Sequence, residues 1–130
     1  MKRLLPPGWP RPKGYSNGIS ATGRMIFTAG IVGWDEHESF PDYTLHGQFA
    51  RALRNVLAIL AADGAGPQHV ARMTVYVTDR HEYLNSRDEI GAAWRDIMAG
   101  NYPAMALVEV KGLVEAAAKV EIETTAVVEE

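Results

Sequence analysis

Apolar residues in the first half of the chain recur at helical spacing between Thr44 and Asp63. Successive members of the set are separated by four, four, three, one and three positions, which places them on one face of a helix. They are Leu45, Phe49, Leu53, Val56, Leu57 and Leu60. Gly64 follows as a predicted C-cap, because glycine readily adopts the left-handed conformation that ends a helix. The pattern predicts an amphipathic helix over residues 44–63.

The second half of the chain alternates between two periodicities. Met73, Val75 and Val77 alternate with polar or half-polar neighbours, which predicts a strand over residues 70–78. Helical spacing returns from about Glu82 to Met98. Two further strands are then predicted, and they cover residues 104–110 and 119–128.

The first third of the chain is dominated by prolines and glycines. Prolines at positions 6, 7, 10 and 12 predict that residues 1–13 form an extended or docked arm without a regular element. A short turn at residues 21–24 separates two β-favouring segments between Ile19 and Gly30, which predicts a hairpin. A polar connection follows from Gly30 to Tyr43. The predicted element order is β-β-α-β-α-β-β.

This element order indicates an α+β fold with a mixed sheet and two helices on one face. Two helices cannot cover both faces of a sheet of four or more strands, so one face needs another partner. The strand at 104–110 is apolar on both sides, with Ala104, Ala106 and Val108 on one and Met105 and Leu107 on the other. We therefore expect the chain to oligomerise through its sheet.

Length, charge and cysteine content exclude several classes of function for this chain. A chain of 130 residues with 47% hydrophobic residues predicts one domain over residues 1–130. The net charge of −3 argues against a nucleic-acid partner, and the absence of cysteine excludes a thiolate nucleophile. The longest apolar run, residues 56–62, is too short to span a membrane, and residues 4 and 5 are too few for a signal-peptide core. A cytoplasmic protein is expected.

Two carboxylates in the last predicted strand are candidates for proton transfer. Glu121 and Glu123 fall on the same face of the strand, about 7 Å apart, because side chains alternate with a period of two. In an oligomeric cleft, such a pair suits general acid–base chemistry. A solvent-facing polar strand edge is the simpler alternative.

No metal site is predicted. The histidines at positions 37, 46, 69 and 81 form no pair at metal-ligand spacing. The acidic run at residues 34–38 has oxygen ligands for a cation, but no calcium-loop pattern surrounds it, so a solvated loop is the preferred interpretation. Nucleotide-loop and serine-hydrolase motifs are also missing.

Seven segments taken in order resemble the reactive intermediate deaminase family, also called the Rid or YjgF family, over essentially the whole chain. Each segment is weak alone, and together they are specific for the fold. They are residues 14–18 (GYSNG), 26–30 (IFTAG), 48–64, 74–79 (TVYVTD), 102–104 (YPA), 108–110 (VEV) and 119–123 (KVEIE).

The resemblance implies a chorismate-mutase-like α+β subunit that forms a homotrimer with its sheets inward and its helices outward. Archetypal members hydrolyse reactive 2-imino or enamino acids to the 2-keto acid and ammonia, without a cofactor. Their sites lie between subunits, where an Arg binds the substrate carboxylate and a Glu positions the attacking water.

Carried over to this chain, the water-positioning Glu matches Glu121 and the ring that closes the pocket matches Tyr15. The loop backbone beside the substrate matches Gly30 and Ile31. The chain departs from the family at the carboxylate-binding Arg, which is replaced by Met105. A thioether cannot bind a carboxylate as a guanidinium does.

The other changes make the implied pocket more apolar. The archetypal pocket serine is Ala29 here, and the pocket cysteine is Leu107. Arg87 falls where the archetype has a pocket Asn, so a cation on another wall could hold the substrate carboxylate; alternatively, Arg87 is a surface residue beside Asp88. Trp34 is a candidate for an aromatic wall or for subunit packing.

These inferences predict a cofactor-free hydrolase of the deaminase type. Its substrate would be an enamine or imine that is larger or more apolar than the smallest imino acids, such as an aminomuconate-like compound. The alternative is a non-catalytic trimer that binds a small metabolite, such as a keto acid, in the same clefts.

Overall fold

The computed structural model describes residues 1–130 as seven strands, three α-helices and one 3₁₀ turn. The strands are β1 (Lys2–Leu4), β2 (Gly18–Ser20), β3 (Arg24–Phe27), β4 (Ile31–Val32), β5 (Val70–Val77), β6 (Ala104–Glu109) and β7 (Val120–Val128). The helices are α1 (Leu45–Ala61), α2 (Arg80–Asn85) and α3 (Arg87–Met98), and the 3₁₀ turn covers Pro67–His69.

Five strands form the main sheet, and β7 lies at its centre. The strand order is β3-β7-β5-β6, and β4 pairs with a different part of β7 from β3. The pair β5 and β6 is parallel and is joined through α2 and α3, whereas all pairs that include β7 are antiparallel. The predicted α+β fold with a mixed sheet is therefore confirmed.

The predicted helix in the first half of the chain is α1, and its apolar stripe faces the sheet. Leu45, Leu53, Val56 and Leu60 are fully buried in the core. Opposite them lie the alternate residues of β5 and β7 that point toward the helices. These are Val70, Met73, Val75 and Val77 on β5 and Val120, Ile122 and Ala126 on β7.

Both ends of α1 form where the sequence predicts. Thr44 is the N-cap, and its hydroxyl oxygen accepts a hydrogen bond from the backbone N–H of Gly47 at 3.1 Å. At the other end Gly64 has a φ of 76°, and the N–H of Ala65 bonds to the carbonyl of Leu60 at 2.9 Å. This left-handed glycine ends the helix as in a Schellman motif.

The predicted hairpin between residues 19 and 30 is wrong. β2 does not pair with β3; it pairs with β1 in a separate two-stranded sheet, with Arg3 opposite Ile19. The prediction of an arm without regular structure is therefore also wrong for residues 2–4. These residues precede the prolines and have free backbone N–H groups, so they can form a ladder with β2.

The predicted second helix is divided in two at Ser86. The backbone of Ser86 lies outside the helical region, at φ −116° and ψ 22°. Its hydroxyl donates to the carbonyl of Glu82 at 2.6 Å, a side-chain bond that competes with the helical ladder. The helical region also begins two residues earlier than predicted, because Asp79 caps it by accepting from the N–H groups of His81 and Glu82.

One polar side chain is buried at the packed face of α1. Gln48 is 2% exposed, and its amide nitrogen donates to the carbonyls of Asp42 (3.2 Å) and Ala117 (2.9 Å). Its amide oxygen accepts from the backbone N–H of Lys119 at 2.7 Å. Gln48 thus ties the two loops at this end of the molecule to the helix.

The other face of the sheet has no helix on it. Met25 and Phe27 of β3 are 55% and 67% exposed, and Val108 of β6 is 43% exposed. The sequence prediction of an uncovered apolar sheet face is confirmed for the single chain. None of the helices has the length and apolar character needed to cross a membrane.

Candidate functional site

Glu121 lies on the uncovered face of the sheet, in the central strand β7. Its neighbours across the sheet are Val32 on one side and Tyr76 on the other. A Cβ atom added to Gly30 would lie 2.5 Å from Oε2 of Glu121 and 2.7 Å from its Cδ. The carboxylate therefore rests on the bare backbone of Gly30, and any larger residue at that position would displace it.

Glu123 and Tyr76 form a hydrogen-bonded pair on the same face. The phenol of Tyr76 donates to Oε1 of Glu123 at 2.5 Å. This bond to Glu123 raises the pKa of Tyr76, and burial and the negative charges of Glu123 and Glu121 raise it further. Tyr76 therefore stays protonated as a donor. Sequence analysis missed it because only the register of β5 against β7 places the ring between the two carboxylates.

The loop that contains Gly30 is held from both sides. The N–H of Thr28 donates to the carbonyl of Thr124 at 2.9 Å, and the N–H of Thr124 donates to the hydroxyl of Thr28 at 3.1 Å. The side chain of Ile31 packs against the core, so this residue can offer only its backbone to the uncovered face. The backbone beside Glu121 is thus well fixed.

Met105 and Leu107 lie on the opposite side of the sheet. They line a cavity of about 290 Å³ between β6 and α3, together with Arg87 and Tyr83. Arg87 forms no ion pair with Asp88 or any other residue, and its Nε donates to the carbonyl of Leu84 at 3.2 Å. The cation that sequence analysis singled out therefore shares a cavity with Met105 and Leu107.

Tyr15 stands at the mouth of this region. A neighbouring cavity of about 360 Å³ is lined by Tyr15 and also by Tyr83, Met105 and Leu107. The segment is anchored by Ser16, whose N–H donates to the carbonyl of Pro103 at 2.9 Å. Tyr15 is 43% exposed.

The candidate residues therefore fall into two groups on opposite sides of one sheet. Met105 pairs with Met73, which is fully buried beneath the helices, whereas Glu121 pairs with Tyr76 on the uncovered face. Side chains of adjacent strands at the same register point to the same side. Within one chain, Glu121 cannot share a cleft with Met105.

In the acidic loop at residues 34–38, the carboxylate of Asp35 accepts hydrogen bonds from backbone groups of the loop and its surroundings. Asp35 accepts hydrogen bonds from the N–H groups of His37 (2.9 Å) and Ser39 (3.0 Å), and the bond from Ser39 contributes most to lowering the pKa of Asp35. Trp34 packs on Phe40 with ring centroids 6.0 Å apart and lines none of the cavities described above.

No group of three or more His, Asp or Glu side chains is arranged to hold a metal ion.

Comparison with solved structures finds the same fold in several bacterial proteins. A Rid-family protein from Yersinia pestis, YyfB, superposes with a TM-score of 0.84 at 26% identity, covering 97% of this chain and 98% of that one. TdcF from E. coli, solved with bound serine, superposes with a TM-score of 0.69 at 28% identity, covering 99% of this chain and all of that one.

Sequence comparison points to the same family as the comparison of folds. Protein DfrA of Myxococcus xanthus is 30% identical over 115 residues, which are 87% of this chain and 84% of that protein. The family model described as endoribonuclease L-PSP matches residues 10–128. With nearly the whole chain matched in sequence and in fold, the protein belongs to the Rid/YjgF family, the family described as endoribonuclease L-PSP.

Proposed function

We propose that this protein is a cofactor-free hydrolase that converts a reactive enamine or imine to its keto form and ammonia, in clefts between the subunits of a homotrimer. The observation that supports this proposal most directly is that the carboxylate of Glu121 has no hydrogen-bond partner in the chain and rests on the backbone of Gly30. Tyr76 donates to Glu123 and leaves the carboxylate of Glu121 free, while Gly30 holds it against bare backbone. A free, positioned carboxylate can orient a water molecule and take its proton.

The proposed chemistry needs only this group and a place for water. The water oxygen bonds to the imine carbon, the C=N electron pair moves to nitrogen, and Glu121 passes the water proton to that nitrogen. In the collapse of the adduct the hydroxyl proton moves to nitrogen, the C=O bond forms, the C–N bond breaks and ammonia leaves. An enamine first takes a proton on carbon and loses one from nitrogen to become the imine. Because attack on an imine is intrinsically easy, orientation by the cleft supplies most of what is required.

The homotrimer brings the two groups of candidate residues together. Glu121 and Gly30 face the uncovered side of one subunit, and we propose that Tyr15, Arg87, Met105 and Leu107 of a neighbour complete the cleft. In this arrangement Arg87 holds the substrate carboxylate in place of the missing Arg. The serine bound to TdcF supports a cleft for a small amino-acid-like molecule. A chain without cysteine suits the reducing cytoplasm.

We expect Phe27→Glu to prevent assembly. Phe27 is 67% exposed on the uncovered sheet face, and a charge there would be buried without a partner in the trimer. Light scattering coupled to gel filtration should give three times the 14.3 kDa chain mass for the native protein and one chain mass for the variant. Val114→Glu is the matched control, since Val114 is 98% exposed on the loop between β6 and β7. A native protein that elutes as a monomer would contradict the proposal.

The activity itself is tested by ammonia release from 2-iminopropionate produced in the assay by a dehydratase. We expect the native protein to exceed the buffer rate. Gly30→Ala should lose most of this enhancement while remaining folded, because the new Cβ displaces the flexible end of Glu121 rather than backbone. If 2-iminopropionate is not hydrolysed, an aminomuconate-like enamine is the second substrate to test; no ammonia from either would refute the proposed activity.

One observation favours a second candidate function, a non-catalytic metabolite binder of the same fold. Met105 and Leu107 make one wall of the cleft apolar, and Met105 stands where archetypal members bind the substrate carboxylate. Binding of a 2-keto acid, measured by isothermal titration calorimetry, together with no ammonia release from 2-iminopropionate or the aminomuconate-like enamine, would show that the protein is a binder.

A further inference from the structure

The first quarter of this chain contains positive charges and no negative ones. Residues 1–34 contain five Lys or Arg and no Asp or Glu, whereas residues 35–130 contain eight Lys or Arg and sixteen Asp or Glu. A protein with a net charge of −3 thus has one segment that is entirely cationic.

The fold turns this segment back on itself. After β1 the chain reverses at a β-turn in which the N–H of Trp9 donates to the carbonyl of Pro6 at 3.2 Å. Gly8, with a φ of 84°, occupies the third position of this turn, which requires a positive φ in a type II turn. The reversal brings Arg11 to the cavity that Arg3 lines from β1.

This cavity has a volume of about 470 Å³, and Tyr15 and Tyr102 line it together with Arg3 and Arg11. It shares Gly14 with both cavities that Met105 and Leu107 line, Tyr15 with one of them and Tyr102 with the other. The cationic residues that line the three cavities are Arg3, Arg11, Lys13, Arg87 and Arg95.

No carboxylate lines any of the three cavities, and none of the five cations forms an ion pair. Five cations and no carboxylate around three neighbouring cavities make the local potential positive. Such a surface suits a ligand with more than one negative group.

We propose that Arg3 and Arg11 of the N-terminal arm form a second anion-binding subsite, which holds the distal acidic group of a substrate whose first carboxylate lies near Arg87. The acidic group is a carboxylate or a phosphate, both of which guanidinium groups bind through paired hydrogen bonds. The inference rests on the proposed function only for the position of the first carboxylate. It assigns the substrate to the class of dianionic small molecules.

The test measures binding of unreactive probes, so its outcome does not depend on turnover. Adipate, 5-phosphonopentanoate and hexanoate share a carboxylate on a chain of similar length, and only the first two have a second acidic group. By isothermal titration calorimetry the native protein should bind at least one of those two about tenfold or more tightly than hexanoate. The tighter of the two identifies the preferred acidic group.

The double variant Arg3→Gln with Arg11→Gln should abolish this preference and leave hexanoate affinity unchanged. The double variant Arg3→Lys with Arg11→Lys should keep part of it, which excludes a merely structural role. Lys2→Gln is the matched control, because Lys2 has the same charge on the same strand but does not line the cavity.

Equal affinity for the three probes would overturn the proposal, and so would an equal loss in the Lys2→Gln variant. Binding of single-stranded poly(U) that depends on Arg3 and Arg11 and that neither dianion displaces would also overturn it, because the cations would then serve a nucleic acid. If no ammonia is released but the protein still binds a dianionic probe more tightly than hexanoate, the proposed reaction is refuted and the proposed subsite is supported.

Discussion

Replacing Glu121 with Gln is expected to lower the rate of ammonia release by about a hundredfold or more, because the amide cannot take a proton from water. The substitution keeps the size and shape of the side chain above Gly30. The fold and assembly should therefore be unchanged, as measured by circular dichroism and light scattering. The rate is measured with 2-iminopropionate under conditions in which the native protein exceeds buffer.

Glu123→Gln is the matched control for this prediction. Glu123 lies two positions along the same face of β7, and its carboxylate is occupied by the phenol of Tyr76. We expect this variant to retain turnover within about tenfold of the native rate, since an amide oxygen can still accept from Tyr76. The reverse result, an active Glu121→Gln protein and an inactive Glu123→Gln protein, would assign the chemistry to the pair of Glu123 and Tyr76.

Gln48→Met is expected to lower the free energy of unfolding by about 3 to 5 kcal/mol. The substitution preserves volume but leaves the carbonyls of Asp42 and Ala117 and the N–H of Lys119 without their buried partner. Each backbone group left unsatisfied costs about 1 to 3 kcal/mol. Since domains are stable by only about 5 to 15 kcal/mol, this single change should remove a large part of the stability.

Urea denaturation at a fixed chain concentration measures this effect, because oligomer stability depends on concentration. Gln68→Met is the control, since Gln68 is exposed in the 3₁₀ turn before β5 and should change stability by less than about 0.5 kcal/mol. A loss of less than about 1 kcal/mol for Gln48→Met would show that the loops it joins are held by other contacts.

In the proposed cleft, Met105 takes the place that the family resemblance assigns to a carboxylate-binding Arg. Met105 and Arg87 line one cavity, and the cavity of Arg3 and Arg11 shares Gly14 and Tyr102 with it. In the proposed cleft, charge is therefore moved from the sheet to the surrounding helix and arm. This rearrangement would favour longer, doubly charged substrates over the smallest imino acids.

Local patterns in the sequence determined most of the secondary structure. The helical stripe from Leu45 to Leu60 and the alternation in β5 and β7 were sufficient, because one buried face imposes a period of 3.6 or 2 on the residues. The motif at residues 119–123 also singled out Glu121, and Gly30 was singled out by the resemblance of its own segment. The free state of the carboxylate and its contact with Gly30 came only from the structure.

The tertiary structure alone decided how distant segments meet. The pairing of β2 with β1, the register that joins Tyr76 to Glu123, and the meeting of Arg3 and Arg11 at one cavity depend on contacts that no single local segment makes. Such contacts are selected by the burial and backbone hydrogen bonds of the whole fold, which no local window of sequence contains. The separation of Glu121 from Met105 by the sheet has the same origin, because it follows from strand register.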